Sequence, residues 1–107
     1  MNFKFFILFS IFICLTQGKT ISVKTASDLI NALKSVAPGD TISLADGTYS
    51  GKFEGRINGT SSQKITLTGS SNAILTSPTN DYGFYLLANY WVLKGIHLRK
   101  SAIYYFN

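Results

Sequence analysis

The sequence is poor in cysteine. Its single cysteine, Cys14, lies in an apolar stretch from Phe5 to Leu15, which follows a short start that carries one positive charge. Small residues follow up to Gly18, and this order of charged, apolar and small segments predicts a secretory signal peptide over residues 1–18, with cleavage near Gly18. Cleavage would make the mature protein secreted and extracellular, and it would remove Cys14. Disulfides, thiolate catalysis and cysteine metal sites are then excluded from the mature chain.

The sequence has no apolar run long enough to span a membrane. The eleven residues from Phe5 to Leu15 fall short of the roughly 20 that a membrane-spanning helix needs. This length favours a cleaved signal peptide over a membrane anchor. We therefore expect no membrane association after cleavage.

Acidic residues are also scarce. With Lys4 removed, the mature chain keeps nine basic and five acidic residues, a net charge of +4. This balance suits an acidic polysaccharide or another negatively charged partner, and it is equally compatible with a solvated surface that is simply basic. No nucleic-acid partner is expected, because the sequence lacks a basic helix, zinc-ligand spacing and an RNP-type strand.

Histidine occurs once, at His97, and the acidic side chains are scattered. A lone histidine and single acids do not form a metal-ligand cluster, so no metal and no other cofactor is expected in this chain. Asp40 and Asp46 lie at turns, where aspartate commonly bonds the local backbone. Glu54 and Asp81 have no such local role, but they lie 27 positions apart and define no catalytic carboxylate pair.

The first mature elements are a short strand at Thr20–Lys24 and a helix over residues 26–36. Thr25 and Asp28 form a capping-box pattern at the helix start, where a negative charge is also favourable. Pro38 and Gly39 then end the helix. Helical spacing places one apolar stripe on it, formed by Leu29, Ile30, Leu33, Val36 and Ala37.

Short alternating strands, separated by turn residues, fill the rest of the sequence. Apolar residues recur there after 22 or 23 positions, in the pairs Ile42 and Ile65, Leu44 and Leu67, and Ile74 and Ile96. A recurrence of this length is typical of stacked repeats, and a hairpin meander does not require it. The pattern predicts an all-β solenoid, a right-handed parallel β-helix, in which Ile42 lies over Ile65 and the amphipathic helix covers the first coil.

Three segments carry a resemblance to a known family: SDLINALKSVAPGDTISLADGTY, NGTSSQKITLTGS and NYWVLKGIHLRKS. They resemble the opening coils of secreted pectin lyase-like β-helix proteins, in particular the group of chondroitinase B and the alginate lyases. The resemblance extends from about Ile21 to Lys100. It implies a right-handed parallel β-helix and a lyase-like relationship to acidic glycans, whereas motifs such as PGDTI and DGTY are structural and specify no activity.

The same resemblance implies that the chain is the amino-terminal part of a longer protein. Members of this family usually have several hundred residues, and in the lyases the catalytic base and acid and the calcium-binding carboxylates lie in later coils. Residues 19–107 are therefore expected to form the cap and the first coils of a truncated β-helix domain. No catalytic residue is assigned, and calcium is expected only in full-length relatives.

Some residues are still candidates for a site. Uronate lyases need a base and a cation, and His97, Arg99 and Lys100 come nearest to such a set. Strand alternation places His97 and Arg99 on one outward face, so these three residues form the candidate substrate-binding site. Ordinary exposed residues on a strand are the alternative. Asn58 begins an Asn-Gly-Thr sequon and is a candidate glycosylation site in a eukaryotic host.

Aromatic residues crowd the last quarter of the chain. Tyr82, Phe84 and Trp91 share the inward parity of their strands and are predicted to stack inside the coils. For Tyr85 and Tyr90 the sequence leaves open whether they pack inside or form part of a sugar-binding surface.

Two functions follow from these observations. The first is the amino-terminal part of a secreted, polysaccharide-active β-helix protein, lyase-like and directed at acidic glycans, without the active site. The second is a non-catalytic extracellular β-helix that binds glycans or other surface ligands through an outer face. Fold alone does not decide between them.

Overall fold

The computed structural model describes residues 18–79, 82–99 and 101–103. Within these ranges the chain is mostly β, with one helix and ten short strands. In chain order the elements are β1 (Thr20–Val23), α1 (Ala26–Ser35), β2 (Thr41–Leu44), β3 (Gly47–Ser50), β4 (Phe53–Gly55), β5 (Ile65–Thr68), β6 (Ala73–Thr76), β7 (Phe84–Leu86), β8 (Trp91–Lys94), β9 (His97–Leu98) and β10 (Ser101–Ile103). The predicted signal peptide, apart from Gly18, lies outside the described residues.

Helix α1 begins where the capping pattern predicts. The Thr25 hydroxyl oxygen accepts a hydrogen bond from the Asp28 backbone N–H at 3.1 Å, and the Asp28 carboxylate accepts one from the Lys24 N–H at 3.4 Å. The Thr25 side chain thus satisfies an amide group that the first turn of a helix leaves unpaired, and the Asp28 carboxylate binds the backbone of the residue before the cap. The helix ends at Ser35, because Val36 already has an extended backbone conformation.

One face of α1 packs against β1 and β4. The buried side chains on and just after the helix are Leu29, Ala32, Leu33 and Val36, and Ile30 is half-buried. The predicted stripe was wrong at Ala37, which is exposed, because the chain has left the helical path before it.

The strands form three sheets, and every strand pair in them is parallel. The first sheet has the order β1-β2-β5-β8, the second β3-β6-β9 and the third β4-β7-β10. From β2 onward the chain visits the first, second and third sheets in turn and then returns to the first. Each passage therefore adds one strand to every sheet beside the strand of the previous passage.

The register differs from the predicted one. Ile42 pairs with Leu67, and Ile65 pairs with Trp91, so the prediction that Ile42 lies over Ile65 was wrong by two residues. Both residues still lie on adjacent strands of one sheet with their side chains inward, because side chains alternate with a period of two. The recurrence of Ile74 with Ile96 also differs from the register by one residue: Ile74 pairs with His97 and is half-buried, while Ala73 and Leu75 beside it in β6 are buried.

The core lies between the three sheets and α1. It is apolar except at Tyr49, which is 1% exposed. Phe53 and Phe84 are partners in register on adjacent strands, and both are fully buried. The predicted interior position was confirmed for Phe84 and wrong for Tyr82, which is 40% exposed. Trp91 is half-buried at the edge of the core, where its indole N–H donates to the Ile57 carbonyl oxygen at 2.8 Å.

Candidate functional site

The residues that the sequence proposed for substrate binding lie at the carboxyl-terminal end of the described chain. His97 and Arg99 are both exposed, as the strand alternation predicts. Within the described residues, no side-chain hydrogen bond or ion pair holds either of them, and Lys100 lies outside those residues. The described residues therefore show no contact that joins His97 and Arg99 into a site, and the role of all three residues in binding stays a prediction.

A more organised set of polar side chains lies on the outer face of the third sheet. Along β4 and its ends, Phe53 and Gly55 are buried, while Lys52 and Arg56 are exposed and Glu54 is half-buried. This strict alternation turns one carboxylate and two cations toward the same face, as the period of a strand requires.

Glu54 and Arg56 form an ion pair on that face. The guanidinium donates through Nε to Glu54 Oε1 at 3.2 Å and through Nη2 to Oε2 at 3.3 Å. These hydrogen bonds lower the pKa of Glu54 against the opposing effect of burial, and the charges of Arg56 and Lys52 lower it further. Glu54 is therefore an ionised partner of Arg56 at neutral pH and is poorly suited to act as a general acid.

Two tyrosines continue the face on the next strand. Tyr85 of β7 pairs in register with Glu54, and its ring makes an edge-to-face contact with Tyr82, with the centroids 5.4 Å apart. The Lys52 ammonium lies 5.5 Å from the centroid of the Tyr85 ring, within the range of a cation–π interaction. Tyr85, whose position the sequence left open, is thus half-buried on an outer surface that combines aromatic rings with cations.

A groove of about 360 Å³ opens between α1 and β4. Its walls combine apolar and charged side chains, namely Ile30, Leu33, Lys34, Lys52, Glu54, Arg56 and Ile57. Because Glu54 is paired with Arg56, the groove keeps an excess of positive charge from Lys34 and Lys52, neither of which has an ion-pair partner among the described residues. Lys52 also joins the groove to the two tyrosines, and we call this continuous surface the cationic groove.

The chemistry of the cationic groove suits binding better than catalysis. Ammonium groups recognise carboxylates, and tyrosine rings offer an apolar face with a polar tip. The described residues contain no group of three or more His, Cys, Asp or Glu side chains that could hold a metal ion. Among the same residues, no helix is long and apolar enough to cross a membrane.

Asn58, the candidate glycosylation site, is exposed just beyond the groove. Its side-chain oxygen accepts a hydrogen bond from the Asn89 backbone N–H at 2.9 Å, and Gly59 N–H donates to the Asn89 carbonyl oxygen at 3.0 Å. Hydrogen bonds at Asn58 and Gly59 therefore connect two successive passages of the chain, and these contacts do not depend on glycosylation. Glycosylation stays a prediction.

The cationic groove was not predicted from the sequence, although the sequence contains a pattern that indicates part of it. Lys52, Glu54 and Arg56 alternate with inward residues, which is visible in the sequence and marks a charged outer face. The contribution of Lys34 was not visible, because it comes from α1 and reaches β4 only through tertiary packing.

Comparison with known proteins gives a consistent structural relationship. No protein-family model matches the sequence, and no curated protein matches it. Among solved structures, the chain is similar to an alginate lyase from Paenibacillus sp. str. FPU-7, with a TM-score of 0.73 and 39% identity over 81% of this chain. It is also similar to the PL6 family alginate lyase AlyGC, with a TM-score of 0.62 and 25% identity over 77% of this chain.

The chain spans only part of these enzymes, 32% of the Paenibacillus protein and 11% of AlyGC. A point mutant of AlyGC, 24% identical, repeats the likeness in fold. The neighbours support a polysaccharide lyase-like relationship, and together with the parallel sheets they favour a β-helix. The broader resemblance to pectin lyase-like proteins and chondroitinase B stays a prediction.

Proposed function

We propose that this chain is the amino-terminal part of a secreted, polysaccharide-active, right-handed parallel β-helix protein that binds acidic glycans of the alginate type. The observation that carries the proposal is the 39% identity and TM-score of 0.73 to an alginate lyase over 81% of the chain. The repeated return of the chain to the same three parallel sheets, in the same order, supports the β-helix part of the proposal.

The charge and shape of the cationic groove support the acidic substrate class. Alginate-type glycans carry a carboxylate on each sugar ring, so successive rings present repeated negative charges. Lys34 and Lys52 supply cations at the groove, and Tyr82 and Tyr85 supply adjoining rings against which the apolar face of a sugar can pack. The groove therefore offers both of the contacts that a uronate unit needs.

We propose binding without catalysis for this part of the chain. Glu54 is held ionised by Arg56, and the other candidate base, His97, lies on the second sheet rather than beside the groove. No catalytic residue is assigned, the active site belongs to coils that would follow in a full-length relative, and binding is expected to need no cofactor.

Binding to alginate oligosaccharides tests the proposal. The protein secreted from the 107-residue chain is titrated with oligoguluronate and oligomannuronate by calorimetry, and the doubly substituted Lys34→Gln, Lys52→Gln variant is titrated in parallel. A charge-assisted hydrogen bond contributes about 1.5–3 kcal/mol, and about 1.4 kcal/mol corresponds to tenfold in affinity. We therefore expect the variant to bind at least about tenfold more weakly, and added salt to weaken the wild type.

Lys94→Gln is the matched control, because Lys94 is an exposed lysine on β8 of the first sheet, outside the groove. It should bind as the wild type does. Equal binding by the double variant and the wild type would contradict the groove as the site. If Arg99→Gln loses binding and the double variant does not, the binding site is the surface that carries His97.

The same samples separate binding from turnover. A lyase releases an unsaturated, ultraviolet-absorbing product, and we expect none from alginate, chondroitin sulfate or pectate. Appearance of that product would contradict the absence of an active site. A reading frame that continues past Asn107 with lysine, arginine and acidic residues on one wall would support an enzyme as the full-length protein, and further coils without them would support the non-catalytic binder.

A further inference from the structure

Asp40 is the one buried charged residue among the described residues, with 3% of its surface exposed. It lies in the turn between α1 and β2, and its carboxylate is held by three donors. Lys19 backbone N–H donates to Oδ1 at 3.0 Å, Ala37 N–H donates to Oδ2 at 2.9 Å, and the Lys19 ammonium donates to Oδ2 at 3.1 Å.

These contacts fix the start of the described chain to the first strands. Thr41 N–H donates to the Lys19 carbonyl oxygen at 2.9 Å, and Thr66 N–H donates to the Asp40 carbonyl oxygen at 3.0 Å. The Lys19 side chain is 66% exposed, so the one cation that faces this carboxylate among the described residues is largely in water. A buried carboxylate is more strongly stabilised by a second positive charge next to it.

The donor to Asp40 Oδ1 is also the nitrogen that signal cleavage would liberate. The sequence predicts cleavage near Gly18, and Lys19 is the next residue. Gly18 itself fits closely: a Cβ built on it would lie 1.8 Å from the Gly39 carbonyl oxygen, so a residue with a side chain cannot occupy this place without a shift. The peptide bond at which cleavage is predicted is therefore the one whose nitrogen donates to Asp40.

We propose that cleavage of the Gly18–Lys19 peptide bond by a signal peptidase creates an amino-terminal ammonium group on Lys19 that docks on Asp40 and stabilises the mature fold. Water adds to the Gly18 carbonyl carbon, the bond to the Lys19 nitrogen breaks, Gly18 leaves as a carboxylate, and the freed amine takes up a proton. The neutral N–H donor to Asp40 thereby becomes a charged one. The inference rests on the secretion part of the proposed function.

The ion pair has a defined pH dependence. Pairing with the Asp40 carboxylate raises the pKa of the α-ammonium group above the about 7.7–8.0 of a free amino terminus. Its contribution to stability is therefore fully present below the unfolded pKa and is lost as the pH rises through the higher folded pKa. The other groups packed around Asp40, from the α1–β2 turn, β2 and β5, are neutral amides, and Lys19 is the charged side chain that faces it.

The first test is the amino terminus of the protein secreted from the complete 107-residue chain, read by mass spectrometry. We expect it to begin at Lys19. A start at another residue would overturn the inference while leaving glycan binding in place, and retention of the whole leader would overturn the secretion proposal as well.

The second test uses a precursor with one glycine inserted after Gly18, because a glycine before Lys19 avoids the clash that a side chain there would make with the Gly39 backbone. Cleavage then leaves an ordinary peptide N–H at Lys19 and moves the ammonium group by one residue, about 3.8 Å along the chain. We expect the wild type to have the higher unfolding midpoint at about pH 7, and the difference to vanish by about pH 9.5, short of the usual lysine pKa of about 10.4. An equal midpoint for both proteins at about pH 7 would overturn the inference.

Acylation of the α-amine gives a readout that does not depend on global unfolding. Near neutral pH the paired amine should react more slowly than that of the glycine-inserted protein, roughly tenfold for each unit by which its pKa is raised. Lys19→Met keeps the backbone nitrogen and should retain the protection, whereas Asp40→Asn should abolish it. Equal rates in the wild type and in Asp40→Asn would contradict the ion pair.

Discussion

The Tyr49 side chain brings a polar atom into an otherwise apolar core. Its ring is 1% exposed, and its hydroxyl donates to the Ala45 carbonyl oxygen at 2.7 Å, with the Val23 carbonyl oxygen at 3.2 Å. Burial raises the pKa of Tyr49, and the nearby Asp28 and Asp46 raise it further, against the effect of the bond to Ala45. The hydroxyl therefore remains protonated at neutral pH and acts as a donor that connects β1, the β2–β3 corner and β3.

Removing this hydroxyl by Tyr49→Phe should lower the free energy of unfolding by about 0.5–1.5 kcal/mol. The Ala45 carbonyl oxygen loses the hydroxyl as a donor, whereas the Val23 carbonyl oxygen still accepts from the Ala45 N–H at 2.9 Å. Urea denaturation followed by circular dichroism measures the change. Tyr90→Phe is the control, since Tyr90 is 49% exposed and should change stability by less than about 0.5 kcal/mol. Equal stability of the two variants would show that the Tyr49 bonds contribute nothing net.

At the scale of elements, α1 covers one end of the sheets and depends on its first turn. The Thr25 side chain satisfies the Asp28 N–H there, the Asp28 carboxylate binds the Lys24 N–H just before the helix, and the opposite face of the helix is in water. A short helix gains most of its stability from packing, so a loss at the cap also weakens the cover that it provides for β1 and β4.

Thr25→Ala should destabilise the protein by about 1 kcal/mol, within a range of about 0.5–2 for such caps. Ser27→Ala is the comparison, since Ser27 is an exposed residue inside the same helix and should be nearly neutral. Thermal unfolding of both variants under identical conditions measures the difference. A neutral Thr25→Ala would mean that water replaces the cap without cost.

At the scale of the whole molecule, the last strand added to each of the three sheets lies at an edge. In the described part of the chain β8, β9 and β10 each have a strand partner on one side only. Unpaired edge groups of parallel strands are templates for further pairing, and Trp91 and Leu93 on β8 are only partly buried. The open edges therefore favour association with another chain.

We expect the secreted product of the 107-residue chain to be marginally stable and to associate as its concentration rises. Sedimentation velocity over a concentration series measures this, with oligomers predicted to increase with concentration. A monomer at every concentration, together with a sharp and reversible thermal transition, would contradict the prediction.

The sequence by itself determined the local features. The Thr25 cap, the helix and its apolar stripe as far as Val36, and the inward parity of Ile42, Leu67 and Phe84 all follow from short-range patterns, and the structure confirms them. Each depends on backbone geometry within a few residues, which the 3.6 and 2.0 periods of helix and strand express directly. The return of the chain to the same sheet was also visible, because apolar strands recur at similar distances.

Only the tertiary structure decided the register and the site. Paired residues lie 21, 25 and 26 positions apart in the first sheet but 31 and 17 apart in the third, because the corners between strands differ in length. Because these intervals vary, the recurrence of apolar residues in the sequence could not show that Ile42 pairs with Leu67. The cationic groove joins Lys34 of α1 with Lys52 beside β4, and the pairing of β4 with β7 brings in Tyr85, so packing rather than sequence proximity created it.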